Sequence, residues 1–250
     1  MLTFRDPFSG ANMPIAVAGG DMIGIAFVLP ADAGPFTNAR VLVVGDLIRR
    51  VFEDVGSAQV LAAVIASDRA AADAAWRPGL MVRPVIGVFT TSAGAEVGLG
   101  KPLDLMITVA GSGDEPTMRL PAVHVARVHA ALPYPGADPA TVRFAVACTP
   151  HAQQLKVTSS LLAHSQATLE RWRGRVDEWS HHPSRPIPPA WRAAAIAALD
   201  DNLDVTRVVE MMSELEGAEG VEPGAKFEAF AYLDRVLAVD LSRDLGRTRH

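Results

Sequence analysis

Residues 35–56, "PFTNARVLVVGDLIRRVFEDVG", decide how the rest of the chain is read. Leu47, Ile48, Val51, Phe52 and Val55 recur at three- and four-residue steps, the spacing of a helix with an apolar face. Thr37 or Asn38 is the expected cap at its start, and Gly56 the expected cap at its end. Just upstream, "DMIGIAFVLP" (21–30) is a short apolar run closed by a proline, the pattern of a buried strand. A helix entered through a small polar loop is a common place to bind a nucleotide. This loop, however, holds no histidine, no lysine and no glycine cluster.

The same alternation continues outward. "AQVLAAVIAS" (58–67) reads as a strand and "DRAAADAAW" (68–76) as a helix capped by Asp68. "RPVIGVFTTS" (83–92) and "LDLMITVAG" (103–111) read as two further strands. Strands alternating with helices imply a mostly parallel, Rossmann-like α/β sheet. After about residue 120 the strand signals stop. "DPATVRFAVAC" (138–148) starts a helix at Pro139 behind Asp138. Residues 156–182 carry Leu161, Leu162, Leu169, Trp172, Val176 and Trp179 at helical steps, so they form a long amphipathic helix. A proline-rich break at 183–189 precedes three more helical patterns. The expected organisation is a trimmed Rossmann-like domain over residues 1–120 and an all-α helical bundle over 121–250.

Composition narrows the function classes. Of 250 residues, 49% are hydrophobic and 20% charged, a balance ordinary for a globular protein that buries a sizeable core. The longest apolar runs are too short to span a bilayer, and the N-terminus lacks the pattern of a signal peptide, so the expected location is cytoplasmic. One cysteine, Cys148, excludes a disulfide or a cysteine-built zinc site within one chain. The net charge of −5 argues against a nucleic-acid partner, which would draw its affinity from basic residues.

Residues 138–176, "DPATVRFAVACTPHAQQLKVTSSLLAHSQATLERWRGRV", resemble the helical region of cysteinyl-tRNA synthetases. Asp138, Pro139, Arg143, Phe144, His151, Leu169 and Arg171 fall into that family's pattern in order. "AALDDNLDVTRVVEMMSEL" (197–215) is similar to the family's next element. Seen beside these, Ala39, Arg40, Val44, Asp46, Leu47, Arg49, Arg50 and Gly56 match the synthetase's nucleotide-binding helix without a gap. The related mycothiol-pathway cysteine ligases share the architecture. The resemblance covers most of residues 20–60 and 120–215.

The departures bear on chemistry. The family's HIGH tetrapeptide, whose histidines contact ATP phosphates, aligns with "PFTN" (35–38) and has lost both histidines. Where the KMSKS loop belongs, Met118 and Arg119 stand without a second lysine. The position of the first zinc ligand is Ala26, so the family's zinc site is absent. Adenylyl transfer needs preorganised positive charge around the transferring group, and most of it is missing. The resemblance therefore implies a non-catalytic paralogue that binds a small molecule or a protein partner. The alternatives are a divergent ATP-dependent ligase for another substrate, and a tRNA-binding module. ATP is the cofactor left open. The candidate ligand-binding residues are Asn38, Arg40, Lys101 and Arg119, around a cleft between residues 26–40 and 104–119.

Plainer readings compete with several motifs. Arg49 and Arg50 read better as packed or paired side chains, with Asp46 one turn away as a partner. "GLGKPLD" (98–104) lacks the spacing of a phosphate loop, and "AGSGDEP" (110–116) reads as a turn. The histidines show no paired metal-ligand spacing, and Cys148 is expected to be buried and inert. The apolar face of 156–179 and the Met211–Met212 pair would serve as core or as a homodimer interface.

Overall fold

The computed structural model describes residues 2–6, 10–15, 22–68, 79–111, 120–130 and 137–246. Most of the helix expected over 68–76, most of "AGSGDEP", and both Met118 and Arg119 lie outside them.

Five parallel strands make the main sheet: β3 (Met22–Val28), β4 (Gln59–Ile65), β5 (Val88–Phe89), β6 (Leu105–Val109) and β7 (Ala122–Val125), in the order β5-β4-β3-β6-β7. That is the Rossmann-like order, in which the chain starts at the centre, winds to one edge and then crosses to the other. In β6 every residue is buried, and in β3 all but the first, as expected of parallel strands covered on both faces. A hairpin of β1 (Leu2–Arg5) and β2 (Asn12–Ile15) stands apart from this sheet, as does a parallel pair formed by β8 (Val128–Ala130) and β9 (Leu155–Val157). The expectation that strands end near residue 120 is therefore corrected. β7 carries the main sheet on to Val125, and β8 and β9 follow it. These strands have only three or four residues, too few to show a period.

The helix α1 (Pro35–Arg50) is the centre of the molecule. Every residue from Thr37 to Ile48 is buried, because α1 packs on β6 on one side and on bundle helices on the other. A helix enclosed all round cannot show a clean amphipathic stripe. Gly45 marks where it lies closest to the sheet: a Cβ there would sit 2.4 Å from the ring of Phe27. The expected cap at the start is corrected. Gly34, at φ 76°, precedes the helix and Pro35 occupies its first turn, a position where the missing N–H costs nothing. Thr37 and Asn38 are inside the helix. At the far end a π-helical turn (Val51–Val55) extends α1 and is capped by Gly56, as expected, whose N–H donates to Val51 O at 2.9 Å, while Ser57 takes the left-handed conformation.

A short helix α2 (Ser92–Leu99) stands where a strand was expected to end. The Thr91 side chain caps it by accepting from Gly94 N–H at 3.1 Å, and Gly100 closes it in the left-handed conformation. "GLGKPLD" is thus a helix terminus and a loop. The bundle comprises α3 (Pro139–Ala147), α4 (Ser159–Ser180), α5 (Pro189–Asp200), α6 (Val205–Gly217) and α7 (Pro223–Leu237). Phe144, Trp172, Phe230 and Trp179 stack edge to face in series, with centroids 5.1 to 5.5 Å apart. The stripe on 161–179 is therefore largely core. One apolar core runs from Leu2 through the sheet and α1 to Leu241. No described helix is long and apolar enough to cross a membrane.

Candidate functional site

In this topology a ligand crevice is expected at the carboxyl ends of β3 and β6, where the strand order reverses. The chain leaves β3 through Leu29 and Pro30, makes a single 3-10 turn (Ala31–Ala33), and enters α1 after Gly34. Asp32 on that turn accepts from Arg127 at 2.8 Å, and this hydrogen bond holds its carboxyl below the usual value. An acidic side chain thus precedes the helix N-terminus, where a phosphate-binding loop would offer cations or bare backbone N–H groups.

The candidate residues do not converge there. Asn38 is 1% exposed and donates its amide to Pro30 O at 3.1 Å, which pins the loop to the first turn of α1. Its Oδ1 has no hydrogen-bond partner among the described residues. Arg40 is fully buried, with Nη1 donating to the carbonyls of Ala126 and Gln153 (3.0 and 2.6 Å). Its Nη2 donates to Thr149 and Pro150 (3.2 and 2.8 Å). Burial pushes this guanidinium down to about 10. Lys101 lies at the amino ends of the central strands β3 and β6, opposite the crevice, where Nζ donates to Met22 O at 2.8 Å and pairs with Asp104. Arg119 lies outside the described residues.

Arg49 and Arg50 are paired, as the plain reading expected, with Glu53 at 3.0 Å and Asp46 at 2.6 Å. Asp46 also accepts from Arg143 at 2.7 Å, and both of these side chains are almost completely buried. Cys148 is half-buried at the end of α3, and desolvation pushes its thiol up to about 12, so it carries no thiolate at neutral pH. No group of three His, Cys, Asp or Glu suited to a metal exists among the described residues.

A second opening lies elsewhere. A pocket of about 220 Å³ sits between β1, the middle of α1, the end of α3 and the start of α6. Arg5, Thr149, His151, Asp201, Asp204 and Thr206 contribute its polar groups. His151 is 6% exposed, and its ring packs edge-on against Phe4 with centroids 5.8 Å apart. Desolvation, followed by the nearby Arg40 charge and His124, pushes it from 6.5 down to about 4. Sequence reading missed this pocket. Its signal was the co-occurrence of His151 and "DDNLD" inside the two resembling segments, read there as family pattern and nothing more.

A stability prediction follows from the His151 value. The folded value lies below the unfolded one, so between about pH 6.5 and pH 4 the unfolded chain binds the proton more readily. Stability is full above that window and falls as pH drops through it, by about 3 kcal/mol from this group. Thermal melts across the window should show a flatter profile for His151→Gln than for the wild type. Parallel profiles would contradict the assignment.

No family model matches the chain, and no curated protein matches it.

Proposed function

We propose that this chain is a non-catalytic paralogue of the cysteinyl-tRNA synthetase and cysteine-ligase family that serves as a binding module for a small molecule or a protein. The observation that carries this reading is Arg40. The position that matches the family's nucleotide-binding helix is occupied by a guanidinium closed on four backbone carbonyls, with its charge spent on the fold. Asn38 is likewise engaged with Pro30, and Lys101 is across the sheet. A transferring phosphoryl group needs several fixed positive charges around it, and losing them lowers the rate by orders of magnitude. Among the described candidate residues, none offers a free cation at the crevice.

The test is pyrophosphate exchange with ATP and each of the twenty amino acids, paired with calorimetric titration of ATP. The expected result is no amino-acid-dependent exchange above background. Robust exchange with cysteine would overturn the reading. Exchange with a different amino acid, together with ATP binding, would replace it with the divergent-ligase alternative.

A further inference from the structure

The pocket between β1 and the start of α6 is distinct from the crevice. Its lining residues Val44 and Leu47 lie two to three turns along α1 from Pro35, about 13 to 18 Å at 1.5 Å per residue. It carries charges of both signs. Arg5 contributes a guanidinium, and Asp201 and Asp204 contribute carboxylates, all three exposed, and among the described residues no ion pair joins Arg5 to either aspartate. Asp204 spends one oxygen capping α6, accepting from Arg207 N–H at 2.9 Å, and keeps the other.

The backbone joins the two walls that carry these charges. Arg5 N–H donates to Asn202 Oδ1 at 3.0 Å, and Asn202 N–H donates to Thr3 O at 2.7 Å. These bonds fasten β1 to the turn through Asp201, and Asn202 and Leu203 both take left-handed conformations at φ 55° and 54°. Two adjacent non-glycine residues in that region are uncommon, and the surrounding contacts must hold them there. The backbone positions of Arg5 and Asp201 are thereby fixed on the pocket wall, with their side chains exposed at its mouth.

The deeper wall holds His151. This residue is almost wholly buried, lines the pocket, and makes no side-chain hydrogen bond among the described residues. A neutral ring of this kind offers one donor and one acceptor to whatever occupies the space. Thr149 and Thr206 each spend a hydroxyl proton on a carbonyl, Ala145 O and Cys148 O, leaving their oxygens as acceptors.

We propose that this pocket binds a small zwitterion, with its acid group toward Arg5 and its ammonium group toward Asp201 and the free oxygen of Asp204. Both charges gain a partner from one ligand, which an anion or a cation alone cannot provide. The volume of about 220 Å³ is below the range of drug-sized sites, so the ligand is compact. This inference does not depend on whether the chain is catalytic.

The experiment uses the full chain and a series of ω-amino acids of increasing length: glycine, γ-aminobutyrate and ε-aminocaproate. Butylamine and butyrate serve as single-charge controls. The readouts are the His151 ring resonances by NMR and the melting temperature, at millimolar concentrations. At least one zwitterion should shift the His151 resonances saturably, and neither control should do so at equal concentration. Arg5→Gln and Asp201→Asn, each checked for native circular dichroism, should weaken that binding about tenfold or more. The proposal is overturned if no member of the series moves His151, if the controls act equally, or if both folded variants bind as the wild type does.

Discussion

Replacing Asp46 by asparagine is expected to remove about 3 to 5 kcal/mol of folding stability, the usual cost of leaving a buried charge without its partner. The Asp46 carboxylate accepts three hydrogen bonds. Oδ2 takes Arg50 Nε at 2.6 Å and Arg143 Nη2 at 2.7 Å, while Oδ1 takes the backbone N–H of Arg83 at 2.8 Å. Arg143 is fully buried and also donates to Leu80 O at 2.9 Å and Leu237 O at 2.6 Å. Burial lowers the guanidinium's hold on its proton, and Asp46 opposes that loss. One carboxylate thus joins α1, α3, the segment at 80–83 and the end of α7. Asparagine keeps the shape but removes the charge, and in either orientation sets an amide N–H₂ against a donor, the guanidiniums or the Arg83 N–H. Urea denaturation followed by circular dichroism measures the loss, with a fall in Tm of roughly 10 °C for a chain this size. The double variant Asp46→Asn with Arg143→Met should recover part of it, because it removes the orphaned charge as well. A loss under about 1 kcal/mol for Asp46→Asn would show that Arg143 finds other compensation.

The parts of this fold that were legible in the sequence are those with a period or a sustained apolar run. β3, β4 and β6 are continuous apolar runs, and α4 repeats its apolar residues at helical steps over six turns, so both announced themselves. The Asp46–Arg50 pair was legible for a similar reason, since four residues is one helical turn. β7, β8 and β9 were not, because three or four residues give a period nothing to repeat. α2 was hidden by its composition: "SAGAEVGL" has two glycines and no apolar stripe, and what defines it is the Thr91 cap and the Gly100 terminus.

The candidate site failed on geometry that only the sheet supplies. Lys101 precedes β6, so in a parallel sheet it belongs at the amino end of the strands, away from the crevice. Chain direction alone would have placed it there. Arg40 is a different case. An arginine on a helix usually carries its charge to water, and nothing nearby in sequence names the four carbonyls it meets. Those carbonyls come from residues 126 and 149–153, whose positions depend on β7 and the turn after α3. The same turn places His151 against Phe4 of β1, a contact between residues far apart in the chain.

Arg40→Met is expected to cost about 3 to 5 kcal/mol, and the outcome discriminates between two roles for this residue. Methionine fills much of the space but donates no hydrogen bond, so four buried or part-buried carbonyls lose a donor at once, although Pro150 O keeps the N–H of Gln153 at 2.9 Å. Each unsatisfied acceptor costs on the order of 1 to 3 kcal/mol, and each bond to a charged donor contributes about 1.5 to 3 kcal/mol. Two effects reduce the sum. The variant no longer buries a guanidinium, whose depression to about 10 signals a desolvation cost, and neighbouring losses are not additive. Arg40→Lys should lie between wild type and Arg40→Met, since an ammonium on one stem cannot reach both pairs of carbonyls in the plane a guanidinium spans. The loss should be read by denaturant unfolding without any ligand present. If Arg40 instead served a ligand, Arg40→Met would leave the free protein as stable as the wild type and only reduce binding. A stable, natively folded Arg40→Met variant would therefore remove the main support for the binding-module reading. A destabilised one would assign the cation to the fold, where it ties the start of α1 to the end of β7 and cannot serve phosphate chemistry.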